Sequence, residues 1–240
     1  MAAIEIFDNY IDIGIQSRPI TSGQEFDMVQ EFIDYRKETF EESSTKQLAV
    51  FLETKINGSY PDIIFAEYDP AMYESWGKTR NTLSINDMKI LHYIFVNRKV
   101  TSQQIVSDLS VKYKDLLFSI ERLYDSELID RVGQAWVRLE KNIFGISKIE
   151  AVEAKINKWD QVMQQAIVNK SFASESSILS KRKGNPNDNV FNRMCSFGLG
   201  IYLYDDNNFS KVASAEKTKL PNDYNSIFIN ECIGRVLNHI

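Results

Sequence analysis

The spacing of apolar positions changes repeatedly along this chain, and each change predicts a change of element. Residues 1–23 alternate weakly through Ile4, Ile6, Ile11, Ile13 and Ile15, then break at Arg18-Pro19 and Gly23, which predicts an arm or an edge strand. From 24 to 42, Phe26, Val29, Phe32, Ile33 and Phe40 recur near helical spacing among many charges, the pattern of an amphipathic helix on a sheet. Its acids form a mostly solvated face, from which one, such as Glu31, could lean into a site. Residues 46–56 and 60–69 are apolar runs separated by Asn57-Gly58-Ser59. Asn-Gly tolerates the positive φ of a tight turn, so the segment reads as a β-hairpin, with Asp62 near the start of its second strand and Glu53 across the turn. The first run also fits a helix end, through Leu48, Phe51 and Leu52.

After Pro70 the spacing becomes helical. Met88, Ile90, Leu91, Ile94 and Phe95 mark a helix over 86–97; Thr101 is the N-cap expected for 102–109, with Ile105 and Leu109 inward. A third helix over 113–127 carries Leu116, Leu117, Ile120 and Leu123, and 128–139 follows as strand, Gly133 turn, strand. In order and length, residues 84–140 resemble the winged helix-turn-helix family. That resemblance implies a third helix in the major groove and a wing on the backbone, with Lys112, Lys114, Arg122, Arg131 and Arg138 as the DNA contacts. Asp108, Asp115, Glu121, Asp125, Glu127 and Asp130 nearly balance these charges, and winged helices also serve as protein-interaction and dimerisation modules.

The β pattern resumes after 143 with Ile149-Glu150-Ala151-Val152-Glu153-Ala154-Lys155. Strand alternation predicts that Glu153 and Lys155 share one face. Asn157 is expected to cap a helix to 169 with Trp159, Val162, Met163, Ala166 and Ile167 buried, and Gln161 and Gln165 on a neighbouring face. A strand over 176–180, a basic loop with Lys181, Arg182 and Lys183, a helix over 190–196, a strand over 199–204 and a helix from 223 complete the chain. The whole predicts an α/β sandwich interrupted once: a discontinuous domain over 1–80 and 141–240, with a helical insertion over 81–140.

Composition narrows this only slightly. A formal charge of −5 over 240 residues does not advertise a nucleic-acid binder, so phosphate contacts would depend on local clusters of Lys and Arg. No apolar run reaches the ~18 residues of a membrane span and no signal-peptide pattern opens the chain, which points to a cytoplasmic protein. Cys195 and Cys232 lack metal-site spacing and are expected as buried reduced thiols.

Pro61-Asp62, then Glu153-Ala154-Lys155, then Trp159 and Gln164-Gln165-Ala166 on a helix, then the strand after Phe172-Ala173-Ser174-Glu175-Ser176, together resemble the PD-(D/E)xK nuclease superfamily over 43–206, outside the helical block. The separation of Asp62 from Glu153 is longer than the family's usual spacing, and an inserted module would account for it. The resemblance implies a restriction-endonuclease-like mixed-sheet core flanked by helices. It also implies Mg²⁺, with Mn²⁺ as a substitute, held by Asp62, Glu153 and the Ala154 carbonyl. Lys155 would orient or deprotonate the attacking water, Gln165 would position the lysine or the strand, and Glu53 would be a further acid. The expected activity is DNA endonuclease action, in restriction or defence, on DNA that is double-stranded for preference, with Lys181, Arg182 and Lys183 on phosphates; cutting at a symmetric site would suggest a homodimer. The alternatives are a catalytically inactive nuclease-like DNA-binding regulator or recognition subunit, and an oligomerisation module with no nucleic-acid role.

Overall fold

The computed structural model describes residues 3–6, 13–19, 22–139, 144–156, 158–181, 188–205 and 208–238. In chain order the elements begin with β1 (Ile4–Ile6), α1 (Gln24–Glu38), β2 (Gln47–Leu52) and β3 (Ile63–Tyr68). Next come α2 (Ile85–Asn97), β4 (Lys99–Thr101), α3 (Ser102–Leu109), α4 (Tyr113–Asp125), β5 (Ile129–Val132) and β6 (Ala135–Arg138). The remainder is β7 (Ile146–Ala154), α5 (Trp159–Asn169), β8 (Glu175–Lys181), α6 (Asp188–Ser196), β9 (Gly200–Asp205), β10 (Asn208–Ala213) and α7 (Tyr224–Asn238).

The chain is α/β and divides into two units, one of Met1–Asp69 with Ile146–Asn222, the other of Pro70–Gly145 with Asp223–Ile240. The first holds a mixed seven-stranded sheet in the order β1-β2-β3-β7-β8-β9-β10. β2, β3 and β7 run as an antiparallel meander, whereas β7, β8 and β9 are parallel, joined by crossovers through α5 and α6. The central strands are buried on both faces, which is why β2 and β3 read as near-continuous apolar runs rather than alternating ones, while β7 carries Glu150 and Glu153 inside its buried stretch. On one face Met28, Val29, Phe32 and Ile33 of α1 pack on Val50, Phe65, Val152 and Tyr202; on the other, Val162, Met163 and Ala166 of α5 pack on Ile178 and Ile201. Full burial of a side chain such as Phe32 contributes about 2–3 kcal/mol.

Beneath α1 a carboxylate is set into the apolar layer, that of Glu150. Glu150 is fully buried, and its Oε2 accepts from Arg36 Nη1 at 2.8 Å while Oε1 accepts from Ser177 at 2.9 Å and from the Tyr202 hydroxyl at 3.0 Å. Burial alone would raise its pKa, but the Arg36 and Lys148 charges bring it down to about 2.

The hairpin forms, with a longer connection than a bare Asn-Gly turn. Ile56 and Ser59 exchange two backbone bonds of 2.9 Å around Asn57 (φ 49°) and Gly58 (φ 80°), a small turn set inside the link between β2 and β3. β1 is an edge strand, parallel to β2. β10 has no counterpart in the sequence reading: it is a sheet edge where Phe209 is buried and Val212 exposed, so no apolar period marks it.

In the second unit α2, α3 and α4 pack with a three-stranded sheet of order β4-β6-β5. Thr101 caps α3 as expected, in a reciprocal capping box with Gln104. The boundaries differ from 1–80 and 141–240, because residues 70–80, Gly145 and α7 belong here. Arg80 is salt-bridged to buried Glu231 of α7, Asn230 accepts from the Tyr73 hydroxyl and the Gly145 N–H at 2.8 Å each, and Ile227 joins the helical core. Helical periodicity announces α7 but does not say which core its apolar face fills. Of the cysteines, Cys232 is buried and Cys195 exposed, both free; Cys195 thus departs from its expected burial, being on the outer side of the short helix α6. Among the described residues, no helix is long and apolar enough to cross a membrane.

Candidate active site

Asp62 immediately precedes β3, and Glu153 is the penultimate residue of β7. Ile63 pairs with Val152 in the antiparallel ladder, so one further step along the register sets Asp62 opposite Glu153. Asp62 is fixed there by its Oδ2, which accepts the Ala154 backbone N–H at 2.7 Å across 92 residues of sequence. Burial pushes the Asp62 carboxyl up, and the Ala154 N–H, Lys155 and Arg18 pull the other way.

Glu153 is 1% exposed. Its Oε1 accepts from Asn169 Nδ2 at 2.7 Å, and its buried Oε2 has no hydrogen-bond partner among the described residues. Burial, and then the Asp62 charge, push this carboxyl up to about 9. Such a group holds its proton at neutral pH until a positive partner arrives.

Lys155 does not share the face of Glu153 as strand alternation predicted. β7 ends at Ala154, so the alternation stops; Glu153 faces α5, while Lys155 Nζ turns to α1 and donates to Glu25 Oε2 at 2.6 Å. Burial works against the ammonium, but the hydrogen bond to Glu25 and the charge of Asp62 outweigh it, so its pKa is raised and it stays charged.

Two clefts open on these groups. One of about 220 Å³ is lined by Arg18, Glu25, Glu53, Asp62, Ala154 and Lys155 with apolar neighbours. The other, of about 300 Å³, is lined by Arg18, Ser59, Tyr60, Glu153, Gln164, Gln165 and Val168. Gln165 therefore reaches the site, beside Glu153 rather than Lys155, and its Oε1 is buried without a partner among the described residues. Glu53 also arrives, but as the partner of Arg18 (Nε to Oε2, 2.9 Å). Burial and then Asp62 raise the Glu53 carboxyl, with Arg18 opposing.

Three participants escaped the sequence reading. Glu25 lies in the first turn of α1, whereas Glu31, the acid singled out there, bonds the Tyr204 hydroxyl instead. Asn169 is one helical turn beyond Gln165, an i, i+4 relation that was available as a signal. Arg18, in the sequence, is only part of the break at Arg18-Pro19.

Comparison with known proteins decides nothing here. No family model matches the chain, and no significant match is found among curated proteins or solved structures. The site's chemistry has to be read from its own geometry. Among the described residues, no three His, Cys, Asp or Glu side chains form a group able to hold a metal ion. The donors on offer are two carboxylates and a main-chain oxygen, Asp62, Glu153 and Ala154. That set suits Mg²⁺, which commonly takes one or two protein carboxylates and fills its remaining positions with water and phosphate oxygens. The unpartnered Glu153 Oε2 is the observation that favours the fit.

The expected DNA contacts fare unevenly. Lys112 and Lys114, at the start of α4, are exposed. Arg122 is pinned in a two-toothed pair with buried Asp87 (Nε–Oδ2 3.0 Å, Nη2–Oδ1 2.7 Å), so its outer face alone is open. Arg131 donates to the Gly133 carbonyl at 3.0 Å within the turn, and Arg138 stacks 4.0 Å over the Phe95 ring. Lys181 ends β8, partly buried; Arg182, Lys183 and the capping residue Asn157 lie outside the described residues.

Proposed function

We propose that this chain is a Mg²⁺-dependent endonuclease of the PD-(D/E)xK type that hydrolyses DNA phosphodiester bonds, with a restriction-endonuclease-like sheet unit and a winged-helix unit that helps hold the duplex. The observation that carries the reading is the register of β3 on β7, which sets Asp62 opposite Glu153 and ties it to the N–H of Ala154, the residue before Lys155. Asp62, Glu153 and the Ala154 carbonyl would hold the cation. When bound, Mg²⁺, or Mn²⁺ in its place, supplies Lewis-acid stabilisation of phosphate charge and a water acidic enough to attack near neutral pH.

The chain's own residues do the rest. Lys155, kept charged by Glu25 and Asp62, orients the attacking water and offsets charge growing on the phosphate oxygens, and in that state it is a donor rather than a base. Asn169 fixes Glu153 so that Oε2 remains the free oxygen. Gln164 and Gln165 wall the neighbouring cleft.

Cleavage of plasmid and of single-stranded DNA with Mg²⁺ or Mn²⁺, comparing wild type with Asp62→Ala and Lys155→Ala, tests this. Loss of cleavage of about 10²-fold or more in both is expected, from removal of charge stabilisation at the reacting phosphate. Cleavage unchanged by either substitution would remove the proposed site. A second reading, a recognition subunit without catalysis, is favoured by α4, where Tyr113, Leu117, Phe118 and Tyr124 are all exposed and suit a protein partner as well as a groove. DNA binding without cleavage by the wild type would select it.

A further inference from the structure

Arg18 stands where the two clefts adjoin, lining both. Its backbone is fixed independently of its side chain: Arg18 N–H donates to the Glu53 carbonyl at 3.0 Å, Lys55 N–H donates to the Gln16 carbonyl at 2.8 Å, and Ser17 bridges Thr54. This short antiparallel patch seats the arginine beside Glu53 wherever its head lies. The guanidinium makes two unequal attachments. Both Nε and Nη2 donate to Glu53 Oε2, whereas only Nη2 reaches Asp62 Oδ1, at 3.3 Å. The side chain is 48% exposed, so the head can be approached from solvent.

The contact with Asp62 falls on the oxygen a cation would need. Oδ2 of Asp62 already accepts the Ala154 N–H, which leaves Oδ1 as the more open oxygen. A guanidinium and a divalent ion compete for it, because both are positive and crowding them on one oxygen sets their charges against each other. The long Asp62 contact is the one to yield, and the doubled Glu53 contact is the one to persist.

We propose that Arg18 is a phosphate-positioning residue that neutralises Asp62 until a divalent cation displaces it, and that Glu53 then keeps the released guanidinium at the site to grip a nucleic-acid phosphate. The inference rests on reading Asp62 and Glu153 as a cation site. It gives Glu53 a different role from a further metal acid: it is the anchor of the arginine. Arginine suits the task because its fixed fork of donors matches two phosphate oxygens at once. Chemically the ligand is a phosphodiester, and the Tyr60 ring, 5.9 Å from the guanidinium, is placed beside the adjoining nucleoside.

Calorimetric titration of the full chain with Mn²⁺ alone, without DNA, tests the displacement in wild type, Arg18→Gln, Arg18→Lys and Asp62→Ala. Removing one competing charge should tighten Mn²⁺ binding about fivefold or more in Arg18→Gln, the fold-change set by a unit charge at contact distance when water screens it. Arg18→Lys, which keeps the charge, should bind Mn²⁺ like wild type, and Asp62→Ala should not bind it. Binding of a duplex oligonucleotide in Ca²⁺ should weaken in Arg18→Gln, with the salt dependence reduced by about one phosphate contact. Equal or weaker Mn²⁺ binding by Arg18→Gln overturns the displacement, while wild-type uptake that Asp62→Ala lacks leaves the cation site standing. Unchanged duplex affinity and salt slope overturn the phosphate role. Absence of Mn²⁺ uptake in both wild type and Arg18→Gln overturns the inference and the cation site together.

Discussion

Asn169 donates to Glu153 at 2.7 Å from the last position of α5, the one hydrogen bond to this nearly solvent-free carboxyl among the described residues. Replacing Asn169 by Leu removes the donor and keeps the branched shape of the side chain. The expected cost is about 1–3 kcal/mol in urea unfolding at pH 7, the penalty for stranding a buried acceptor, together with a tenfold or greater loss of Mn²⁺ affinity. A variant as stable as wild type, with the same affinity, would show that the bond positions nothing.

The raised Glu153 carboxyl makes cation-free stability depend on pH. In the folded chain it keeps its proton up to about pH 9, whereas the unfolded chain releases it near the ordinary carboxylate value of 4.5. The folded state therefore binds more protons between those limits, and stability from this group is full below about pH 4.5 and lost as pH rises toward 9. Melting temperature in EDTA should fall across that window, and Glu153→Gln should flatten the slope and melt higher than wild type at pH 8. An identical slope in the variant would place the titration elsewhere. Added Mn²⁺ should raise the wild-type melting temperature more at pH 8 than at pH 6, since the metal and the proton compete.

Arg36 and Glu150 form a buried pair of the kind that is expensive to break from one side. Arg36→Met should destabilise by about 3 kcal/mol, because Glu150 loses its main compensating charge while remaining buried. Lys148, 3.3 Å from Glu150 Oε2, keeps the loss from being larger. Guanidinium unfolding provides the number. A change below about 1 kcal/mol would mean that Lys148 alone neutralises the carboxylate.

In the helical unit the cationic residues should separate into two classes. Lys112→Ala and Lys114→Ala should leave stability unchanged and each reduce the salt dependence of duplex binding by about one phosphate contact. Arg122→Ala should instead lower stability by about 1–3 kcal/mol, since Asp87 is buried and relies on it. Salt titrations by fluorescence anisotropy, with thermal melts alongside, distinguish them. If Arg122→Ala melts like wild type while losing DNA, its outer face matters more than its pairing.

Much of the secondary structure was legible because it follows from local pattern. The apolar stripe of α1, the N-cap at Thr101, the Asn57-Gly58 turn and the β pattern that resumes before Glu153 are consequences of neighbours within a few residues. The pairing of Asp62 with the Glu153 strand was legible only as an expectation from two half-motifs, since no periodic signal spans so long a gap. Lys155 was misjudged for a definable reason: strand alternation holds only inside the strand, and Lys155 is the first residue outside it. Arg18 and Glu25 gave no warning, because an exposed arginine before a proline and an acid in a first helical turn are commonplace.

By itself, then, the amino-acid order determined the elements, the apolar faces and the residue types of an acid-rich site, all of which depend on spacing along the chain. Only the tertiary structure decided which of those residues meet. Register placed Asp62 against Glu153, the end of β7 sent Lys155 to Glu25, and the apolar face of α7 was filled within the helical unit. The reason is physical: a side chain's surroundings are fixed by burial and hydrogen bonding between segments distant in sequence, and that choice is made by the packed core as a whole rather than by any stretch of it.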